Sequence, residues 1–184
     1  MQKQNVFITI FAAVSIGIFS VAASAAAPGN DNFADAEGLS GIRVNVTRSN
    51  AEATKEAGEP NHANNAGGKS VWFKWTAPIS RTMVITTNRS AGNIDTLLQV
   101  YIGNALTNLN SRGFSNDIST PNNKRSIVRF NVTQGTTYYI VVDGYNNGQL
   151  TAEGAFTLDI KPSFDYQGAD YDADGTTDLA VFRP

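Results

Sequence analysis

The sequence predicts an all-β protein whose main body is an antiparallel β-sandwich of jelly-roll type. Short apolar-rich segments recur along the chain, turn sequences rich in Gly, Asn and Pro separate them, and almost nothing repeats at helical period. Strands are expected at 42–49, 70–76, 82–87, 96–102, 126–132, 137–143 and 155–160. Alternation decides their faces. In "SVWFKW", Val71, Phe73 and Trp75 share one side and Trp72 and Lys74 the other; in "SIVRFNV", Val128, Phe130 and Val132 oppose Ile127, Arg129 and Asn131. Half-buried strands at this spacing pack as two sheets face to face.

The elements follow from local chemistry. In "DNFADAEGL", Asn30 or Asp31 is placed to cap a single helical turn with Phe33 and Ala36 inward, and Gly38 ends it. Turn signals at 64–68, 90–93, 121–123 and 144–148 close the strand connections. After 160 the composition changes, and "KPSFDYQG" reads as the start of a linker over 161–167.

Composition narrows the function classes. The formal net charge is -2, with Lys+Arg 14 against Asp+Glu 16, so no global field draws the chain to nucleic acid or an anionic membrane. Lys3, an apolar run and Ala23-Ser24-Ala25 read as a secretory signal peptide over 1–27. A membrane anchor is the competing reading, but it needs about 20 apolar residues, and Ala, Ser and Gly dilute this run. The expected location is therefore secreted or cell-surface, with no membrane association after cleavage. There is no cysteine, so stability must come from the core, bound metal or association.

Catalysis is not expected. The single histidine, His62, stands in the loop "EPNHANNAGG", where an imidazole is expected to be solvated or in a local hydrogen bond. No G-x-S-x-G elbow accompanies it. Glu56, Glu59 and His62 have an E-x-x-E-x-x-H spacing, but Gly58 and Pro60 break any helix that would bring them to one face. The expected role of Glu59 is structural, at the base of the sandwich or clamping backbone amides of the Gly-rich loop. Asp95, Asp117 and Asp143 stand at strand ends, where aspartates make turn hydrogen bonds. Trp72, on the face opposite Val71 and Phe73, is a candidate platform for a sugar or peptide ligand.

The most specific motif is terminal. "DYDADGTTD" places Asp170, Asp172, Asp174 and Asp178 at positions 1, 3, 5 and 9 of a loop, with Gly175 at the sharp turn and the Thr176 carbonyl at position 7. Oxygen donors at those positions wrap one Ca2+ ion. Position 12 is Val181 and no helical pattern flanks the loop, so it is not an EF-hand.

The segments "NDNFADAEGLSG", "EAGEPNHANNAGGKSVWFKWTAP", "IDTLLQVYIG", "SND" and "GTTYYIVVDGYNNGQLTAEGAFTLDI" together resemble the bacterial pre-peptidase C-terminal domain family over 28–160. The resemblance implies a non-catalytic β-sandwich appended to exported proteins and used for surface, matrix or calcium contacts. It also implies a second calcium site drawn from Asn30, Asp31 and Glu59. The stretch 168–184 resembles the opening of a VCBS or FG-GAP repeat, which implies a fragment of a β-propeller-type unit and further domains downstream in the same polypeptide. The expected partner is an extracellular protein, matrix or polysaccharide ligand; an accessory region of a secreted peptidase or glycoside hydrolase is the alternative, and a carbohydrate-binding module a third reading.

Overall fold

The computed structural model describes residues 26–163. The signal-peptide expectation, apart from Ala26 and Ala27, and the whole terminal repeat lie outside the described residues. So do the linker residues from 164 onward.

Nine strands form two sheets: β1 (Glu37–Leu39), β2 (Val44–Ser49), β3 (Val71–Thr76), β4 (Arg81–Thr86), β5 (Thr96–Ile102), β6 (Asn110–Ser115), β7 (Ile127–Val132), β8 (Thr137–Gly144) and β9 (Ala155–Pro162). One sheet has the order β1-β3-β8-β5-β6 and the other β2-β9-β4-β7. Among the described residues, helix is confined to 3-10 turns at Phe33–Asp35 and Leu106–Asn108. Among the described residues no helix is long and apolar enough to cross a membrane.

The sheets close on a shared core. Val71, Phe73, Trp75, Leu98, Val100, Ile140 and Val142 from one sheet meet Met83, Ile85, Val128, Phe156, Leu158 and Ile160 from the other. The alternation within "SVWFKW" and "SIVRFNV" thus sorts core from outer face as expected. Burying each such side chain stabilises the fold by about 1.5–3 kcal/mol. Two β-sheets packed in this way are a β-sandwich, and Arg112 forms a bulge in β6 opposite Val100 and Tyr101 of β5.

The departures from expectation fall at the edges. β1 and β6 carry no apolar alternation, because an edge strand is held on one side by its neighbour and packs few side chains. β1 runs parallel to β3, so the sandwich is not wholly antiparallel. β9 continues past Ile160: Lys161 and Pro162 pair with Val84 and Met83, and the Ser163 N–H donates to the Thr82 carbonyl at 2.9 Å. The first residues assigned to the linker are therefore strand. The turn at Phe33–Asp35 buries Phe33 and Ala36 as expected, but its cap is Asn32 without a side-chain hydrogen bond; the Asn30 side chain instead donates to the Trp72 carbonyl at 2.9 Å.

Candidate functional site

A polar cluster lies under the loop that joins β2 to β3. The Asp143 carboxylate, at the end of β8, is its anchor. Asp143 Oδ1 accepts the backbone N–H of Lys69 at 2.8 Å, Gly68 at 3.0 Å and Gly144 at 2.7 Å. Its Oδ2 lies 3.1 Å from His62 Nδ1, and His62 Nε2 lies 3.5 Å from Glu59 Oε1. All three side chains are closed to solvent. Gly67 (φ 60°) makes the approach possible, because a Cβ there would stand 1.7 Å from Asp143 Oδ2.

The backbone of the loop is shaped around the imidazole. His62 and Asn65 exchange backbone hydrogen bonds at 3.1 and 2.8 Å, and Ala63 and Asn64 between them take positive φ. The Ala63 N–H donates to Gln99 Oε1 at 2.8 Å, which ties the loop to β5. The rings of Trp72 and Tyr101 face His62 at centroid distances of 5.5 and 6.1 Å. Burial pushes the Glu59 carboxyl above the ordinary carboxylate range, opposed by the Ser70 hydroxyl and His62. Burial likewise raises the Tyr101 phenol, and the nearby Glu59 and Asp143 add to that rise.

This geometry corrects two readings of the sequence. His62 is not a solvated loop histidine; it is buried between two carboxylates, one of them 81 residues away in sequence. Trp72 is not a surface platform either. It is fully buried, because Phe33 packs on it edge-on at 5.2 Å and the His62 loop covers the rest of that face. The clamp on the Gly-rich loop exists, but its carboxylate is Asp143, while Glu59 Oε2 accepts the Glu56 N–H at 2.9 Å. No sequence signal pairs His62 with Asp143; only the β3–β8 register brings them together.

The residues proposed for a second calcium site have separate tasks. Asn30 binds the backbone of Trp72, Asp31 accepts the backbone N–H and the hydroxyl of Thr54 at 2.6 and 2.8 Å, and Glu59 sits beside His62. Among the described residues no group of three or more His, Asp and Glu side chains is placed to hold a metal ion. Asp170, Asp172, Asp174, Thr176 and Asp178 lie outside the described residues. Asp117 accepts the Thr120 hydroxyl at 2.7 Å, a turn hydrogen bond of the kind expected at a strand end, whereas Asp95 pairs with Lys124, 29 residues on, at 2.8 Å.

A second feature opens on the outer face of the four-stranded sheet. Asp159 and Lys161 point away from the core that takes Leu158 and Ile160. With Arg43, Asn45 and Arg89 they line a cleft of about 200 Å³. The Asp159 side chain is 7% exposed; Asn45 Nδ2 donates to its Oδ1, and Arg89 Nε lies 3.5 Å from its Oδ2.

With the sheets and both polar features in place, the comparison with known families is direct. Residues 69–144 match the bacterial pre-peptidase C-terminal domain. The pre-peptidase C-terminal match runs from the end of the His62 loop through β8, so it takes in Asp143 and the core strands β3, β4, β5 and β7. His62 lies outside it, and of the cleft residues Arg43, Asn45, Asp159 and Lys161 lie outside while Arg89 lies within. No curated protein matches the chain. A solved structure, the K1 cleaved adhesin domain of Lys-gingipain from Porphyromonas gingivalis W83, is similar at 12% identity and a TM-score of 0.27, covering 65% of this chain and 95% of that one.

Proposed function

We propose that the protein is a secreted, non-catalytic interaction module that works in cell-surface or extracellular contacts. The observation that carries the reading is the enclosure of its one imidazole: both ring nitrogens of His62 face carboxylates inside the fold, out of reach of any substrate. General acid–base catalysis needs such a group within hydrogen-bond reach of a reacting atom. The match of residues 69–144 to the bacterial pre-peptidase C-terminal domain supports the same reading.

The sheet orders support the jelly-roll form of the sandwich. β2-β9-β4-β7 and β3-β8-β5-β6 nest early strands against late ones, the arrangement two Greek keys produce, with β1 added at one edge. Export and the terminal calcium loop complete the proposal: Asp170, Asp172, Asp174, the Thr176 carbonyl and Asp178 would hold one Ca2+ ion and fix the segment that follows the sandwich. Calorimetric titration with Ca2+ tests this. One binding event, absent in Asp172→Ala and Asp174→Ala, is expected; no heat and no melting shift between Ca2+ and EDTA would remove the metal from the proposal.

An accessory region of a secreted hydrolase is the second reading, favoured by the same family match. It predicts peptidase or glycosidase activity in the exported polypeptide that carries these residues. A polypeptide inert toward peptide and glycoside substrates would leave the interaction module alone.

A further inference from the structure

We propose that the stretch 59–69 is a proton-latched cover: it closes on the five-stranded sheet with one proton held between His62 Nε2 and Glu59 Oε1, and releases that proton when it lifts. The inference goes beyond the interaction reading above and concerns when this face of the module is closed. The hydrogen-bond roles of the imidazole carry it. Asp143 Oδ1 accepts three backbone N–H groups, and its Oδ2 faces His62 Nδ1 at 3.1 Å. Those donors call for an ionised carboxylate, so the hydrogen on Nδ1 points at Asp143. In the neutral ring His62 Nε2 is then an acceptor, and it faces a second acceptor, Glu59 Oε1, at 3.5 Å. Two lone pairs do not hold such a contact inside the fold. One added proton, on the ring or on the carboxyl, turns the repulsion into an attraction.

The groups around the pair do not replace that proton. Tyr101 from β5 is a neutral phenol, Trp72 from β3 carries no charge, and Asp143 from β8 adds a second negative one. Within the loop, Lys55 bonds the Asn61 side chain and the Ala66 carbonyl, Lys69 pairs with Glu153, and Glu56 accepts the Phe33 N–H. Glu59, His62 and Asp143 are all closed to solvent, so without the extra proton the cluster would bury two negative charges. The upward push of burial on the Glu59 carboxyl agrees with this.

The closed cover also carries features that lifting relieves. Ala63 (φ 47°) and Asn64 (φ 63°) hold left-handed backbone that side chains disfavour. Trp72 Nε1 and the Tyr101 hydroxyl, beside His62 under the loop, are buried without a hydrogen-bond partner and would gain water. Against this stand the ties from the Ala63 N–H to Gln99, from Asn65 to Asn146, and from the Gly68 and Lys69 N–H groups to Asp143. A solvated imidazole loses its proton at about pH 6.5. Above that value the closed form keeps a proton that the open form lacks, so closure is complete below it and weakens as pH rises. Lifting parts His62 from Asp143, so the open loop assembles no catalytic pair.

Hydrogen exchange of the exported chain tests the proposal, measured from below to well above the ordinary histidine range and corrected for the intrinsic pH dependence of exchange. Protection of peptides spanning 59–69 is expected to hold steady below that range. Above it, protection should fall by up to about tenfold per pH unit, the limit for one proton. At every pH these peptides should exchange faster than those of β4 and β9, since the cover lifts without unfolding the sandwich. Glu59→Gln puts in place of the carboxylate an amide whose N–H can face Nε2 permanently, so its loop protection should not fall with pH. Should that variant not fold, the wild-type slope and the difference between loop and core decide. Loop protection that is flat with pH in the wild type, or an equal slope in Glu59→Gln, overturns the latch. Loop and core exchanging together would show that the stretch does not move on its own and overturns the cover.

Discussion

Single side chains set the chemistry of the sandwich. Asp143 satisfies three backbone donors and the His62 ring from one buried carboxylate, so its removal strips several groups at once. Leaving each buried donor without its acceptor costs about 1–3 kcal/mol, and Asp143→Ala should lower the urea midpoint accordingly while Asp143→Asn loses less. Gly67→Ala should destabilise as well, since the methyl would meet Asp143 Oδ2 at 1.7 Å; thermal melting would show it. Glu59 gives the fold a pH response. Burial raises its carboxyl, so its stabilising contribution is complete below the unfolded value and is lost as pH rises through the higher folded one. Wild-type stability should thus fall relative to Glu59→Gln as pH climbs above the ordinary carboxylate range, and parallel melting curves for the two proteins across that window would refute this. Trp72→Ala should cost about 3–5 kcal/mol as a core cavity, where a surface platform would lose almost nothing.

Strands and loops divide the labour between core and edge. Strands β3, β4, β5, β8 and β9 inside the sheets, and the edge strand β7, carry alternating or continuous apolar patterns, because each packs at least one face against the opposite sheet. Their places were legible in the sequence for that reason. β1 and β6 were not, since "EGL" and "NSRGFS" hold their places by backbone pairing with β3 and β5. The far end of β9 was missed for a related reason: Pro162 reads as a strand breaker, yet it sits at the end of the ladder, where its missing N–H disturbs no further pair. A chain ended at Ile160 should therefore melt below one ended at Ser163, because it loses the pairings of Val84 and Met83 and the bond to Thr82. Equal melting points would show that the extension adds nothing.

The whole molecule is closed by distant pairings. Asn45 pairs with Asp159 across 114 residues, and β2 finds its place only when β9 is made. Such a topology must close long loops before contacts stabilise it, so refolding should be slow for a small domain, on the order of milliseconds to seconds. Stopped-flow tryptophan fluorescence reads this through Trp72 and Trp75, both fully buried; microsecond refolding would contradict it. The absence of cysteine has the same consequence for stability: without disulfides the two sheets depend on the shared core and on the buried Asp143 network.

From residue types and spacing alone came the all-β class, the faces of the central strands, the inward turn at Phe33 and the oxygen-donor pattern at Asp170 to Asp178. Those features are local, because pleat, turn and loop geometry are set by neighbours within a few residues. The tertiary structure decided the rest. It buried Trp72 by laying the Phe33 turn and the His62 loop over a strand face that alternation could only label as outward. It enclosed His62 by bringing Asp143 to it across two sheet neighbours, and it gathered Asn45, Arg89, Asp159 and Lys161 into one cleft. Each of these depends on groups far apart in sequence meeting where strands pair, and no pattern within a strand encodes which partner will lie beside it.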